Sequence, residues 1–149
     1  MSEELDATLT LRGASRAAVE AGVSFVESVG YGASLARFLA PVPESFVSAG
    51  GSFEGPASWF YENWGCKGFD LKEGMWWEET APGDANNQRW ACWNLVTVNG
   101  VPQPILQALS ERLTDLEIGF FFEVYVGGDE MFREHEVVWE SGILTEDDG

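Results

Sequence analysis

Residues 116–126 place the strongest constraint on how this chain can fold. Leu116 and every second residue after it, as far as Val126, are apolar, whereas the positions between them include Glu117 and Glu123. Strict alternation over a segment of this length is typical of a strand with one buried face and one polar face. The buried face of such a strand must be covered by a second layer. We therefore predict an antiparallel sheet with helices on one face.

The other elements follow from apolar spacing and from capping residues. Ser15 is a suitable N-cap for a helix that runs to Gly30, and Pro102 and Pro104 open a second helix. Between them lies an irregular insertion, 31–74, with one short helix. The length suits a single domain, 1–149. The remaining predicted segments are strands at 7–12, 75–80, 89–98 and 136–141, a helical turn at 57–63 and a frayed acidic tail at 143–149.

The order of these elements corresponds to a known pattern. Strand, helix, strand, strand, helix and strand follow one another, with one extra strand at the C-terminus. This is the βαββαβ order of the ferredoxin-like fold, so the predicted fold class is α+β. The term describes topology alone, because two cysteines are too few to hold an iron–sulfur cluster.

The net charge excludes several classes of ligand. The chain has 25 acidic and 8 basic residues, and its formal net charge is −17. Because 45% of the residues are hydrophobic and 13% are aromatic, the chain is a folded domain with an acidic surface rather than a disordered tail. A DNA- or RNA-binding module needs a basic surface, so we predict no direct contact with nucleic acid. Anionic membranes would also repel this surface.

The chain shows no signal for export or membrane insertion. No basic segment followed by an apolar run stands at its start, and no apolar run is long enough for a membrane span. Without a secretion signal, Cys66 and Cys92 are expected to be reduced, buried thiols rather than a disulfide. We therefore predict a cytoplasmic protein.

One short motif resembles a known family. Asn63-Trp64-Gly65-Cys66-Lys67 is similar to the N-W-G-[TC]-K signature of the YubB-type ferredoxin-like family, which phages, plasmids and related mobile elements carry. Three further segments resemble that family in the same order, so that the resemblance extends over about residues 5–142. These segments are 36–44 (ARFLAPVPE), the strand and Pro-opened helix that begin at 90, and 113–125 (LTDLEIGFFFEVY).

The resemblance implies a fold and an origin rather than a mechanism. It implies the ferredoxin-like topology and a place in the cytoplasm of a bacterial host. The chain departs from the family pattern at 98–102, where Val-Asn-Gly-Val-Pro replaces W-S-P-P, and at 131–134, where Met-Phe-Arg-Glu replaces a small-residue turn. We expect Asn63, Trp64, Gly65 and Lys67 to have a structural role in the inserted segment.

The sequence predicts no catalytic, cofactor or metal site. His135 is the sole histidine and lies in a charged segment, so it cannot supply the imidazoles of a typical zinc site. Phosphate-loop, nucleophile-elbow and zinc-protease motifs are missing from the sequence. Adjacent carboxylates such as Glu78 and Glu79 arise by abundance in a chain this acidic. A hydrolase with paired carboxylates is therefore the least favoured alternative.

Tryptophans and acids supply the candidate contact residues. Trp76 and Trp77 are adjacent on a predicted strand and must face opposite sides, so one of them is predicted on the less buried face, near Glu78 or Glu79. Twelve of the acids lie in residues 111–149, several at outward positions of the last strands. One strongly negative face is expected. The predicted partner-binding residues are Glu117, Glu123, Asp129, Glu130, Glu134, Glu136, Glu78, Glu79 and Trp76.

These residues favour a protein partner that is itself basic. The first hypothesis is a non-enzymatic phage or mobile-element protein that binds and inhibits a nucleic-acid-binding defence protein of its host, of the anti-CRISPR or anti-restriction type. Its acidic face would mimic DNA or block the partner sterically. The alternative is an accessory structural or regulatory domain whose acidity maintains solubility. In that case charge reversal would preserve function, whereas truncation of Trp64 or Trp93 would unfold the chain.

Overall fold

A computed structural model describes residues 4–13, 15–47, 55–79, 89–126 and 131–148. These residues form a mixed α+β structure with a seven-stranded open antiparallel sheet and four α-helices. The strands are β1 (Glu4–Gly13), β2 (Gly68–Leu71), β3 (Trp76–Glu79), β4 (Arg89–Val98), β5 (Leu116–Val126), β6 (Met131–Glu140) and β7 (Ile143–Asp148). The helices are α1 (Arg16–Val29), α2 (Ser34–Leu39), α3 (Ala57–Asn63) and α4 (Gln103–Arg112), with a 3₁₀ turn at Glu44–Phe46.

The sheet is organised around β1, which lies between β4 and β5. The strand order is β2-β4-β1-β5-β6-β7, and β3 pairs with the other end of β4 beside β2. Every pairing is antiparallel. The first and third quarters of the chain therefore meet at the centre of the sheet, and the last three strands extend it to one side.

One face of the sheet is the core. Leu9 and Leu11 of β1 stand in register with Trp93 of β4 and with Phe120 and Ile118 of β5, and all five side chains are fully buried. Helices α1 and α4 pack against this face, and α2 and α3 contact those helices. Burial of these large apolar side chains is the main source of stability.

Helix α1 forms as its sequence predicts. Ser15 adopts an extended backbone, and its Oγ accepts a hydrogen bond from the amide of Ala18 at 3.1 Å. Val19, Val23 and Val26 recur at helical spacing and are buried against the sheet. Gly30 ends the helix with a φ of 107°, a conformation that L side chains rarely adopt.

The opposite face of the sheet is the open face. It consists of the alternate residues of each strand, from Asp6, Thr8, Thr10 and Arg12 in β1 to Trp90 and Cys92 in β4 and Glu117 and Glu123 in β5. Most of these side chains are half-buried or exposed, although Cys92 is buried. Helices α1 and α4 contact the sheet from the core side.

The predicted frayed tail at 143–149 is wrong. Residues Ile143–Asp148 form β7, which pairs with β6, so that two strands rather than one follow β5. Ser141 and Gly142 connect them with φ angles of 51° and 80°, which are typical of a two-residue hairpin turn. Ser141 Oγ donates to the carbonyl of Thr114 at 3.1 Å, and the Gly142 amide donates to Ser110 Oγ at 2.6 Å. These bonds fasten the hairpin to the end of α4.

The segment 31–74 has more regular structure than the one short helix predicted for it. It contains α2, the 3₁₀ turn, α3 and β2. Leu35 of α2 and Phe60 of α3 are buried, which explains why these short helices persist. Strand β6 also begins earlier than predicted, at Met131. Residues 81–88, which separate the predicted strands at 75–80 and 89–98, lie outside the described residues.

Both cysteines are free and buried, as predicted. Cys66 follows α3 in the core, whereas Cys92 lies on the other side of the sheet, in β4. Among the described residues, no helix has the length and apolar character that crossing a membrane requires.

Candidate protein-binding face

The register of the sheet brings most of the predicted contact residues to the open face. Asp129 and Glu130 lie outside the described residues. Glu79 follows Glu78 in β3 and pairs with Arg89 of β4. The side chain of Glu79 lies outside the described part of the chain. The predicted residues that the structure places on the open face are Trp76, Glu78, Glu117, Glu123, Glu134 and Glu136.

Further acids of this face were missed by the sequence prediction. Asp6 of β1 and Asp70 of β2 both stand in register with Val96 of β4, and Glu140 of β6 pairs with Glu117. Asp6 alternates with the buried Ala7, and this alternation was the signal that could have placed it on the open face. Asp70 could not be placed in this way, because the four residues of β2 are too few to show a clear alternation of apolar and polar positions. Asp70 is paired with Lys72, whose Nζ lies 2.6 Å from Asp70 Oδ2, so the acidic part of the open face extends from β1 across to β6.

Two pairs of glutamates face each other directly across neighbouring strands. Glu117 of β5 pairs with Glu140 of β6, and Glu123 pairs with Glu134. Directly opposed side chains on one face of a sheet lie about 5 Å apart at Cβ, and like charges at this distance are destabilising. The Glu123–Glu134 pair therefore reduces the stability of the sheet, whereas Arg12, 4.0 Å from Glu117 Oε2, offsets part of the repulsion in the Glu117–Glu140 pair.

We expect Glu140→Lys to stabilise the protein by about 0.5–1 kcal/mol at low salt. The substitution replaces a repulsion with Glu117 by an attraction across the same two strands. The free energy of unfolding, measured by urea denaturation, should rise, and the gain should shrink at high salt because exposed charges are screened.

The matched control is Glu62→Lys, at an exposed position of α3 that has no cross-strand partner. It should change the free energy of unfolding by less than about 0.5 kcal/mol. Equal gains for the two substitutions would show that total charge, rather than the cross-strand pair, limits stability.

Arg12 supplies the positive charge at the centre of the open face. Its Nη2 donates to Glu136 Oε1, and its Nε lies 4.0 Å from Glu117 Oε2. The guanidinium also stands over the ring of Trp90, 5.7 Å from the ring centroid. Gly119 permits this arrangement, because a Cβ there would overlap Thr10 Oγ1 and come within 3.1 Å of Arg12. Arg12 thus offsets the charges of Glu136 and Glu117. It forms no ion pair with the other described acids of the open face.

The two adjacent tryptophans of β3 face opposite sides, as predicted. Trp76 stands in register with Cys92 on the open face, whereas Trp77 pairs with the fully buried Ala91 and packs against the core. The indole N–H of Trp76 donates to Glu78 Oε1 at 3.0 Å. This bond holds a half-buried aromatic ring and a carboxylate side by side at the sheet surface.

A depression of about 260 Å³ lies beside this pair on the open face. Its floor includes Thr8, Thr10 and the buried thiol of Cys92. Burial, with a smaller contribution from the nearby Glu78 carboxylate, raises the pKa of Cys92 to about 12. The floor is therefore uncharged at neutral pH. The rim consists of Trp76, Trp90, Phe121, Glu78, Glu136 and Arg12.

The segment with the family-like motif is engaged in local structure. Asn63 Nδ2 donates to the carbonyl of Trp59 at 2.9 Å, and the Trp64 indole donates to the carbonyl of Ala40 at 3.0 Å. Gly65 has a φ of 78°, and its backbone packs so closely on the start of α4 that a Cβ would collide. The Lys67 amide donates to Val98, while its side chain is exposed. These contacts support the structural role expected of this motif.

The described side chains include no arrangement suited to a metal ion. No group of three or more His, Cys, Asp or Glu side chains converges within the described ranges. His135 stacks on Phe122, with ring centroids 5.1 Å apart. Its imidazole is thereby placed on the core side of β6, away from the acids of the open face.

Comparisons with protein-family models, with curated proteins and with solved structures find no match for this chain. The function is therefore inferred from the open face. It combines a dense set of carboxylates, one central arginine and a shallow aromatic depression. A surface of this kind attracts positively charged partners.

Proposed function

We propose that this chain is a non-enzymatic protein that binds and inhibits a basic, nucleic-acid-binding protein. The observation that carries the proposal is the direct cross-strand pairing of Glu117 with Glu140 and of Glu123 with Glu134 on an open sheet face. Acids placed at random would be distributed over the surface. These acids stand at directly opposed positions of adjacent strands, and Arg12, whose Nε lies 4.0 Å from Glu117 Oε2, offsets one of the four.

A negative sheet face can compete with DNA for a positive channel. Nucleic-acid-binding proteins use Lys and Arg to neutralise phosphates, and the same side chains would neutralise closely spaced carboxylates. Long-range attraction would also accelerate association. The chain therefore acts either as a DNA mimic or as a steric block at the nucleic-acid channel of its partner.

The proposal includes the origin and the fold suggested by the sequence. We infer a ferredoxin-like core made of β1, α1, β3, β4, α4 and β5, and membership of the YubB-type family. Two features support this core: β4 lies between β1 and β3, as in a split βαβ unit, and β1 lies between β4 and β5. A phage or mobile-element protein with this activity would act on a host defence protein, such as a CRISPR effector or a restriction enzyme, in the bacterial cytoplasm.

The test is a pull-down with a panel of purified CRISPR effectors, restriction enzymes and other nucleases. At least one should bind at about 0.1 M salt and be released at about 1 M salt, because the Debye length falls from about 10 Å to about 3 Å over this range. An excess of duplex DNA should displace the chain from that partner if the two share a channel. Steric blocking instead predicts a ternary complex in which nuclease activity is lost.

Failure of every basic nuclease in the panel to bind would overturn the proposal. So would binding that survives about 1 M salt without change, since such binding would not depend on the acids. A partner that binds without any loss of its own activity would favour the accessory-domain alternative.

A further inference from the structure

The depression on the open face has aromatic walls. Trp76 and Trp90 come from neighbouring strands β3 and β4, and Phe121 comes from β5 on the other side of β1. All three side chains are half-buried, so their rings are partly accessible. Aromatic faces attract cations through the ring quadrupole, most strongly for tryptophan.

Carboxylates stand at two sides of the same depression. Glu78 lies beside Trp76, and its Oε1 accepts a hydrogen bond from the Trp76 indole N–H. The other carboxylate oxygen of Glu78, Oε2, accepts no hydrogen bond from the described part of the chain. Glu136, on β6, stands on the opposite rim. A cation in the depression would therefore contact aromatic rings and carboxylates together.

Arg12 shows that a guanidinium is suited to this surface. Its guanidinium stands over Trp90 and is bonded to Glu136, which uses one aromatic wall and one carboxylate. Trp76, Phe121 and Glu78 also line the depression, and the contacts of Arg12 described above do not involve them. The floor between them is made of uncharged side chains, and the charge of Arg12, which also lines the depression, is offset by its bond to Glu136.

We propose that this depression binds the side chain of an arginine from the basic partner. The guanidinium stacks on Trp76 and donates to the Glu78 carboxylate, as Arg12 does with Trp90 and Glu136. Arginine fits this site better than lysine, because its planar group both stacks on aromatic rings and donates two parallel hydrogen bonds to a carboxylate. The inference rests on the proposed function, since arginines that contact phosphates are abundant on nucleic-acid-binding surfaces.

The experiment is a titration of the isotopically labelled full chain with two blocked tripeptides, Gly-Arg-Gly and Gly-Lys-Gly, at low salt. The indole N–H signals of Trp76 and Trp90 should shift with the arginine peptide, and its dissociation constant should be about fivefold to tenfold lower than that of the lysine peptide. Glu78→Gln and Trp76→Leu should each weaken arginine binding by about fivefold to tenfold.

Glu62→Gln is the matched control, because it removes an exposed carboxylate of α3, away from the open face. It should change the dissociation constant of the arginine peptide by less than about twofold. Equal affinity for the two peptides, or equal losses in Glu78→Gln and Glu62→Gln, would overturn the inference. The nuclease panel tests the proposed function separately. If a nuclease binds Glu78→Gln as tightly as the unmodified chain, the proposed function stands and the arginine-binding depression is wrong.

Discussion

Trp64→Ala should lower the free energy of unfolding by about 3–5 kcal/mol, the range for removal of a buried large aromatic side chain. Trp64 is 1% exposed and packs edge-to-face against Phe60 and Trp59, with ring centroids 5.1 and 6.3 Å away. Its loss would leave a cavity and would also leave the carbonyl of Ala40 without the indole donor. Because α2, α3 and the start of α4 meet around this ring, we expect the whole segment 31–74 to loosen.

Urea denaturation followed by circular dichroism measures this effect. Trp64→Phe should recover much of the stability, since it keeps an aromatic ring and loses only part of the volume and the hydrogen bond. Trp76→Ala serves as the control for a tryptophan that is half-buried on the open face, and its cost should be much smaller. A loss below about 1 kcal/mol for Trp64→Ala would contradict the packing described here.

The protein should also lose stability steeply as the pH rises above about 9. Burial raises the pKa of both Cys66 and Cys92 from 9.0 to about 12. Above pH 9 the unfolded chain releases these thiol protons while the folded chain keeps them. The unfolded state therefore binds fewer protons, and the free energy of unfolding falls with pH by up to about 1.4 kcal/mol per unit for each thiol. Cys92 should contribute less, because its neighbours on the open face are only half-buried.

The measurement is a series of urea denaturations between about pH 8 and pH 11. The double variant Cys66→Ala, Cys92→Ala separates the thiols from lysine and tyrosine ionisation, and it should show a clearly shallower decline. Because the Glu78 carboxylate contributes to the raised pKa of Cys92, Glu78→Gln should slightly reduce the total loss of stability at high pH. Identical slopes for the double variant and the unmodified chain would exclude the thiols as the cause.

The sheet could be predicted in part because its strands carry a period-two pattern. The alternation over β5 and β1 separates apolar from polar positions, and the opposite directions of Trp76 and Trp77 follow from the same rule. Pattern alone does not identify β7, because half of its six residues are acidic. Its turn at Ser141 and Gly142 depends on positive φ angles that a Ser-Gly pair signals only weakly.

The contacts at the centre of the open face could not be predicted from the sequence. Arg12 and Glu136 are 124 positions apart, and their meeting depends on β1 lying next to β5 and β5 next to β6. The acidic positions of the last strands were visible, but which glutamates face each other depends on register. A shift of one residue would have moved Glu123 to the core side of the sheet.

The central claim is that the acids of the open face, rather than the total charge, bind the partner. Two double variants with the same net charge test it most directly: Glu123→Lys with Glu140→Lys on the open face, and Glu27→Lys with Glu62→Lys on α1 and α3. Each substitution replaces an exposed glutamate. The affinity of both variants for the nuclease identified in the panel, and their free energies of unfolding, would be measured under the same conditions.

We predict opposite effects on stability and on binding for the open-face variant alone. Its free energy of unfolding should rise, because both cross-strand repulsions become attractions, while its affinity for the nuclease should fall by about 100-fold or more, on the order of 3 kcal/mol. The variant of α1 and α3 should bind within a few-fold of the unmodified chain. Equal losses of affinity in the two variants would contradict the claim.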